Sequence, residues 1–145
     1  MLDPKPQPDR RYNRMTHFID LSRESQECAA DDAPLASCEG KFVQIRNDAD
    51  EYLVFASKGL CKYHSHIVET FASLRNIDVR ENSKGDAVYF VDPMWEVVGG
   101  GKMKIDRDNR SVELAGSSQA YGPFDTVGLK SRLTPSFDGY TINVA

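Results

Sequence analysis

The chain has 145 residues and a formal net charge of −4 at pH 7. That length predicts one globular domain with a core large enough to fold without disulfides or structural metals. The mild acidic charge gives no indication of nucleic-acid binding, and no apolar run is long enough for a membrane span or for a secretory signal. We therefore expect a soluble, cytoplasmic protein that binds neither nucleic acid nor membrane.

The cysteines and other metal-binding residue types predict no metal site. Cys28, Cys38 and Cys61 are odd in number and lack CxxC spacing, so neither a disulfide framework nor a zinc site is indicated. Carboxylates and imidazoles also show no clustering with the spacing of metal ligands. We expect no metal and no cofactor.

Residues 1–39 are rich in proline and charge and contain few large apolar side chains. The prolines are Pro4, Pro6, Pro8 and Pro34. This composition predicts a disordered N-terminal tail, followed by one domain over residues 40–145. Three arginines near the start are also typical of a mitochondrial presequence, but the aspartates among them argue against one. His17 lies in the predicted tail and is given no role.

The first half of the domain predicts a hairpin followed by a helix. Residues 41–46 alternate as a strand, residues 47–50 make a turn, and residues 52–55 read as an antiparallel neighbour covered on both faces. Residues 61–76 carry apolar side chains at helical spacing. That apolar stripe consists of Tyr63, Ile67, Phe71 and Leu74, with Val68 widening it.

Two histidines in this helix receive different interpretations. His64 falls in the first turn at the edge of the apolar stripe, whereas the helical spacing puts His66 on the solvated side. Spacing alone favours a core-edge His64 bonded to a backbone carbonyl. The alternative is a neutral imidazole that faces a cleft and accepts a proton, because the start of a helix disfavours a cationic side chain.

The stretch from residue 95 to residue 123 is the centre of the prediction. An apolar strand, residues 95–98, runs into Gly99-Gly100-Gly101, which lets another element or a ligand lie against bare backbone. Residues 102–105 alternate as a strand, and a turn leads to a return strand with Val112 and Leu114 inward. Before this stretch, the role of an excursion at residues 81–93 stays open.

The small-residue loop at residues 116–123 predicts an anion site. We expect it to open a helix at Pro123 with Phe124, Val127 and Leu133 on its apolar side, so that free N–H groups there suit a phosphate. A last strand covers residues 140–144. Together these elements predict an α/β class fold, a small single-domain sandwich of a mixed β-sheet with two α-helices.

Four motifs occur together in this chain. They are a Lys-aromatic-Val-x-Ile-Arg strand at residues 41–46, the pair Tyr63-His64, the run Gly99-Gly100-Gly101-Lys102, and Ser-x-Ala-Tyr-Gly-Pro at residues 118–123. In this combination and order, residues 40–144 resemble the phosphohistidine phosphatase family, also called the Janus family. Each motif alone is a weak signal.

The resemblance implies a metal-independent phosphatase that hydrolyses the P–N bond of phosphohistidine in proteins. We also expect the protein to be a monomer. His64 matches the family's catalytic base. The residues that match the phosphate pocket are Lys41, Ser65, Lys102, Ser118, Gln119 and Ala120. A route through covalent phosphorylation of His64 stays open beside the general-base route.

Three departures from the family pattern define the alternatives. His66 stands where the family has an acid, Lys102 stands where it has an arginine, and Ala56-Ser57 stands where it has Arg-Gly. A module that binds phosphohistidine or phosphate without turnover is therefore the second hypothesis. A structural protein whose glycines serve packing alone is the third.

Overall fold

The structure is a computed structural model that describes residues 14–21 and 37–145. The elements in chain order are β1 (Met15–Asp20), β2 (Ser37–Arg46), β3 (Asp50–Ser57), α1 (His64–Leu74), β4 (Val79–Glu81), β5 (Val88–Phe90), β6 (Glu96–Asp106), β7 (Ser111–Ala115), α2 (Leu129–Leu133), a 3-10 helix (Thr134–Phe137) and β8 (Thr141–Val144). None of these helices is long and apolar enough to cross a membrane.

Six of the described strands form one mixed sheet in the order β1-β3-β2-β6-β7-β8. β1 is parallel to β3 and β8 is parallel to β7, whereas the central pairs are antiparallel. β4 and β5 pair separately as an antiparallel hairpin in the excursion that follows α1. The predicted α/β class, with a mixed sheet and two helices, is confirmed.

The sheet is covered on both faces over β2 and β3. Phe42 and Phe55 point to the face that packs on α2 and the 3-10 helix. Val43 and Val54, their neighbours in sequence, point to the opposite face and pack on α1. This alternation follows from the two-residue period of a strand, and it confirms that β3 is buried on both sides.

The prediction of a disordered tail over residues 1–39 is wrong where the structure describes that segment. Met15–Asp20 forms the edge strand β1, in register with β3 from Asp50 to Phe55, and Leu21 is fully buried. Ser37–Glu39 belongs to β2, so this strand begins before residue 40. Residues 1–13 and 22–36 lie outside the described part of the chain. The apolar residues of β1 are too few to stand out among prolines and charges.

Two helix predictions are longer than the helices observed. α1 begins at His64 rather than Cys61, and α2 spans only Leu129–Leu133, well after the predicted start at Pro123. Val127 is 62% exposed and belongs to no helix. Gly128, at φ +69°, marks the boundary, because a left-handed residue interrupts a right-handed helix. The loop at residues 116–123 therefore does not open a helix.

Candidate functional site

α1 packs on only part of one face of the sheet, and the candidate site lies beside the N-terminal end of this helix. On β2, Val43 and Ile45 pack beneath α1. Lys41 shares their face because it is two residues from Val43, but it lies beside the start of the helix. On β6, Lys102 and Lys104 alternate with buried Met103 and so reach this same face. The uncovered part of the sheet is thus lined with lysine.

Lys41 and Lys102 are direct cross-strand partners. Like charges opposite one another on adjacent strands are destabilising. Lys41 Nζ donates a hydrogen bond of 2.8 Å to the Lys62 carbonyl oxygen, and no carboxylate of the described residues forms an ion pair with either lysine. An anion between the two ammonium groups would relieve this repulsion.

His64 is the first residue of α1, and it is 9% exposed. Its Nε2 lies 3.0 Å from the carbonyl oxygen of Gly101. A carbonyl oxygen only accepts, so Nε2 carries the proton and donates. In the neutral ring, the lone pair is therefore on Nδ1, which has no hydrogen-bond partner among the described residues. His64 is bonded to a carbonyl, as spacing favoured, and still keeps a free basic nitrogen.

The surroundings of His64 favour the neutral imidazole. Burial lowers its pKa below the ordinary value of 6.5, and the positive charge of Lys41 lowers this pKa further. The bond to Gly101 acts in the opposite direction, because it favours the charged donor. The result is a lowered pKa, so the ring is predominantly neutral at pH 7.

The glycines of β6 create the seat for His64. A Cβ on Gly100 would lie 2.9 Å from Cδ2 of His64 and 2.6 Å from the Phe42 carbonyl oxygen. A Cβ on Gly99 would overlap the carbonyl of Pro123, and one on Gly101 would lie 2.5 Å from the carbonyl oxygen of Ala115. The bare backbone expected from the sequence thus serves close packing of the imidazole and of the neighbouring chain.

A cleft of about 720 Å³ opens beside His64. Its lining residues are Lys41, Tyr63, His64, Ser65, His66, Gly85, Asp86, Lys102, Ser117, Gln119 and Ala120. Six of the seven residues predicted from the sequence are therefore together: Lys41, His64, Ser65, Lys102, Gln119 and Ala120. Ser118, the seventh, is 3% exposed and does not line the cleft.

The loop after β7 is fixed against β6 as a turn. The Ser118 N–H donates to the Gly122 carbonyl oxygen at 3.0 Å, and Ser118 Oγ accepts from the Tyr121 N–H at 3.2 Å. The Gly100 N–H donates to that same Gly122 carbonyl oxygen at 3.1 Å. The Ser118 amide is therefore not a free donor for a phosphate, and this residue builds the loop.

Other amides at the cleft remain available. The N–H groups of Gln119 and Ala120 have no acceptor among the described residues. The same holds for Ser65, which lies in the first turn of α1. These groups border a cleft that also contains two lysines, so hydrogen-bond donors and positive charge converge there.

Five residues of the cleft were not predicted as parts of the site: Tyr63, His66, Gly85, Asp86 and Ser117. His66 is exposed, as expected, but it lines the same cleft as His64 and does not face away from it. Its ring lies edge-on to Tyr63 with centroids 5.3 Å apart. Periodicity assigns a side to each residue, but at the end of a helix both sides border the same open space.

Gly85 and Asp86 come from the β4–β5 hairpin, which forms a wall of the cleft. Tyr121 Oη donates to the Val88 carbonyl oxygen at 2.7 Å and accepts from the Val88 N–H at 2.8 Å. Burial raises the pKa of Tyr121 to about 12, so the hydroxyl stays protonated and both bonds persist. The excursion at residues 81–93, to which the sequence assigned no role, therefore forms one wall of the cleft.

No group of three or more histidines, cysteines or carboxylates in the described ranges, 14–21 and 37–145, is arranged to hold a metal ion. The position that would carry a cation in the family pattern is also occupied differently. Ala56 is fully buried beneath α1 and pairs with Lys41 across β2 and β3. It contributes no charge to the cleft.

Comparison with known proteins identifies the family of the chain. A search of curated proteins finds no match. The family model described as the Janus/Ocnus family (Ocnus) matches residues 36–141, which include β2 through the 3-10 helix and every residue that lines the cleft. Because this match spans well over half of the sequence, the chain belongs to the Janus/Ocnus family.

Proposed function

We propose that the protein is a metal-independent protein phosphohistidine phosphatase that hydrolyses the P–N bond, with Nδ1 of His64 as the general base. One observation carries the proposal. A neutral histidine, held through Nε2 by a backbone carbonyl, lies in the same cleft as a pair of lysines without carboxylate partners. Family membership supports the reaction class.

The phosphoryl group binds between cations and amides. Lys41 and Lys102 offset the charge on its oxygens, and the N–H groups of Ser65, Gln119 and Ala120 donate to them. Charge-assisted hydrogen bonds of this kind are the strong ones, and donors held in place stabilise charge without reorganising during the reaction. The Ser118 amide is excluded from this set because its N–H already donates a hydrogen bond to the Gly122 carbonyl oxygen.

Nδ1 then takes a proton from water as the water oxygen attacks phosphorus. The P–O bond forms as the P–N bond breaks, and the electron pair of that bond returns to the substrate ring nitrogen. This nitrogen takes up a proton and the ring leaves neutral, while Nδ1 gives up the proton that it took from water, so that His64 is again neutral. The products are inorganic phosphate and unmodified histidine. A positioned base of this kind contributes about a hundred- to ten-thousand-fold in rate. Positive charge at the two lysines supplies the electrostatic part.

The covalent route uses the same nitrogen as a nucleophile. Nδ1 of His64 attacks phosphorus directly as the P–N bond to the substrate breaks, and the substrate ring nitrogen keeps the electron pair and takes a proton from solvent. Water later hydrolyses phosphorylated His64 to inorganic phosphate and returns that proton to solvent. The two routes differ in one observable. Acid cleaves phosphohistidine whichever route is used, so the reaction must be stopped in alkali. Phosphate that is then retained on the protein itself identifies the covalent route.

A module that binds phosphohistidine without turnover is the second candidate. It is favoured by Ala56, which is buried and leaves the cleft without a third cation, and by His66 in place of an acid. Either function needs phosphate binding. They differ only in whether the bound group is hydrolysed.

A phosphohistidine peptide assay in the presence of a chelator tests the proposal. We expect release of inorganic phosphate that is unchanged by the chelator. Loss of activity with the chelator, restored by a divalent ion, would contradict metal independence. If phosphate shifts the amide signals of Ser65, Gln119 and Ala120 but the peptide is not hydrolysed, the protein is a phosphate-binding module and not a phosphatase.

A further inference from the structure

A second cavity of about 440 Å³ adjoins the cleft on the same face of the sheet. Its lining residues are Glu39, Gly40, Lys41, Lys58, Lys102, Met103, Lys104, Glu113 and Ala115. Lys41 and Lys102 line both spaces, so the second cavity adjoins the proposed phosphate site at this pair of lysines. We call this second cavity the lysine groove.

The lysine groove lies at an end of the sheet that no element of the described residues covers. α1 begins at His64 and runs away over Val43 and Ile45, so it does not extend over the start of β2. The floor of the lysine groove lies close to the backbone, because Gly40 has no side chain and Ala115 has only a methyl group. An extended polypeptide therefore has room to lie on this face of the sheet, along β6 and between β2 and β7.

The charges of the lysine groove favour an acidic occupant. Four lysines line it against two glutamates. Glu39 bonds to Lys58 at 2.9 Å and lies 3.9 Å from Lys104, so one carboxylate serves two ammonium groups. Lys41 and Lys102 form no ion pair with a carboxylate of the described residues. The lining of the lysine groove therefore has more positive than negative charge.

The geometry points to the lysine groove as the site that holds the substrate polypeptide beside its phosphorylated histidine, with a preference for an acidic side chain about two residues away. This inference rests on the proposed function, because the phosphoryl group must occupy the cleft. The spacing follows from β6. Lys102 and Lys104 are two residues apart on a strand, which is about 7 Å, and an extended substrate covers that distance in two residues.

Binding of peptides that contain a non-hydrolysable phosphohistidine analogue tests the inference apart from catalysis. Two pairs of peptides are compared, with aspartate or lysine two positions before or two positions after the analogue, and inorganic phosphate is titrated separately. We expect the aspartate peptide of one pair to bind more tightly than its lysine counterpart, and this preference to shrink as salt is raised.

The variants Lys104→Glu and Lys58→Glu locate the preference. Each should weaken the preferred aspartate peptide about three- to tenfold and leave the affinity for inorganic phosphate within about twofold, as expected for reversing one exposed charge. Lys130→Glu, an exposed lysine on α2 outside both cavities, is the matched control and should change neither affinity.

The outcomes separate the two proposals. If wild type binds phosphate but both members of each peptide pair bind equally, or if the two variants keep the preference, the lysine groove is not the docking site. If wild type binds neither phosphate nor peptide, the proposed function fails, and the inference fails with it.

Discussion

The two ends of β2 hold charge in opposite ways. At the end of the strand, buried Arg46 bonds to Glu51 at 2.8 Å and to Asp125 at 3.0 Å. Arg132 also reaches Glu51, at 2.8 Å. In the first half of the strand, Lys41 faces Lys102 with no carboxylate partner among the described residues. A satisfied network ties elements together, whereas an unsatisfied pair is available to a ligand.

Glu51 shows how complete the first network is. It is 1% exposed and accepts hydrogen bonds from Thr16 on β1, from Gln44 on β2, and from the two arginines. Although burial raises the pKa of this carboxyl, the hydrogen bonds led by Arg132 outweigh burial, and the pKa is lowered. Strands β1, β2 and β3 and helix α2 thus meet at one carboxylate.

Removal of His64 should have the largest effect on function. His64→Ala is expected to lower phosphohistidine hydrolysis about a hundred- to ten-thousand-fold and to leave inorganic phosphate binding largely intact, because lysines and amides bind the phosphate. The checks are peptide hydrolysis and a phosphate titration followed by amide shifts. Hydrolysis at the wild-type rate would refute the catalytic assignment.

Removal of Glu51 should have the largest effect on stability. Glu51→Ala leaves Arg46 and Arg132 without their shared partner and is expected to lower the free energy of unfolding by about 3–5 kcal/mol. Denaturant unfolding measures the change. Glu39→Ala, which removes an exposed ion-paired carboxylate from the other end of β2, is the control and should change stability little. Equal losses in both variants would contradict the contrast between the two ends.

Gly100→Ala should damage the seat of His64 without changing any charge. The new Cβ would contact the imidazole and the Phe42 carbonyl, so we expect lower turnover and about 1–3 kcal/mol of destabilisation from overpacking. Gly59→Ala is the matched control, since a Cβ there meets nothing within 4 Å. Normal turnover in Gly100→Ala would mean that the packing of the ring on β6 does not position it.

The pH dependence should separate the two ends as well. His64 has a lowered pKa in the folded protein, so turnover should be flat above about pH 6.5 and fall as pH drops through the folded pKa. Its contribution to stability is likewise present above pH 6.5 and is lost on acidification, because the unfolded chain binds the proton more readily. The contribution of Glu51 to stability is lost at lower pH, as the pH falls through the lowered pKa of its carboxyl. A rate that rises on acidification would contradict a neutral base.

His66→Ala should have the smallest effect. His66 is exposed and stacks edge-on against Tyr63, and residues two apart on a helix do not face each other. We expect less than a tenfold change in peptide hydrolysis. A loss of roughly ten- to a hundred-fold would instead assign it the role of orienting His64 through a water, in place of the family's acid.

The predictable part of the fold is the part whose residues alternate or repeat strongly. The pattern of β2 and β3 identified the sheet, and the apolar stripe identified α1. The glycines of β6 indicated that another element or a ligand approaches the backbone there, but not that this element is His64. β1 was missed because its partner strand β3 lies about 35 residues away in sequence, and local composition carries no record of that pairing.

The site was predictable where motifs carried it and not where tertiary contacts did. Lys41 and His64 came from motif positions, but Asp86 enters the cleft only because Tyr121 fixes the β4–β5 hairpin beside it. Ser118 also came from a motif position, and a free amide was expected there because the small-residue loop was read as the start of a helix. In the structure its amide closes a turn with Gly122.

An NMR titration of the His64 ring nitrogens, with and without inorganic phosphate, tests directly whether His64 is a neutral base beside an anion site. We expect a neutral ring protonated at Nε2, a pKa below 6.5, and an upward shift of that pKa when the phosphate anion binds beside it. The Ser65, Gln119 and Ala120 amides should shift in the same titration. A proton on Nδ1, or a pKa that phosphate leaves unchanged, would contradict a basic His64 beside an anion site.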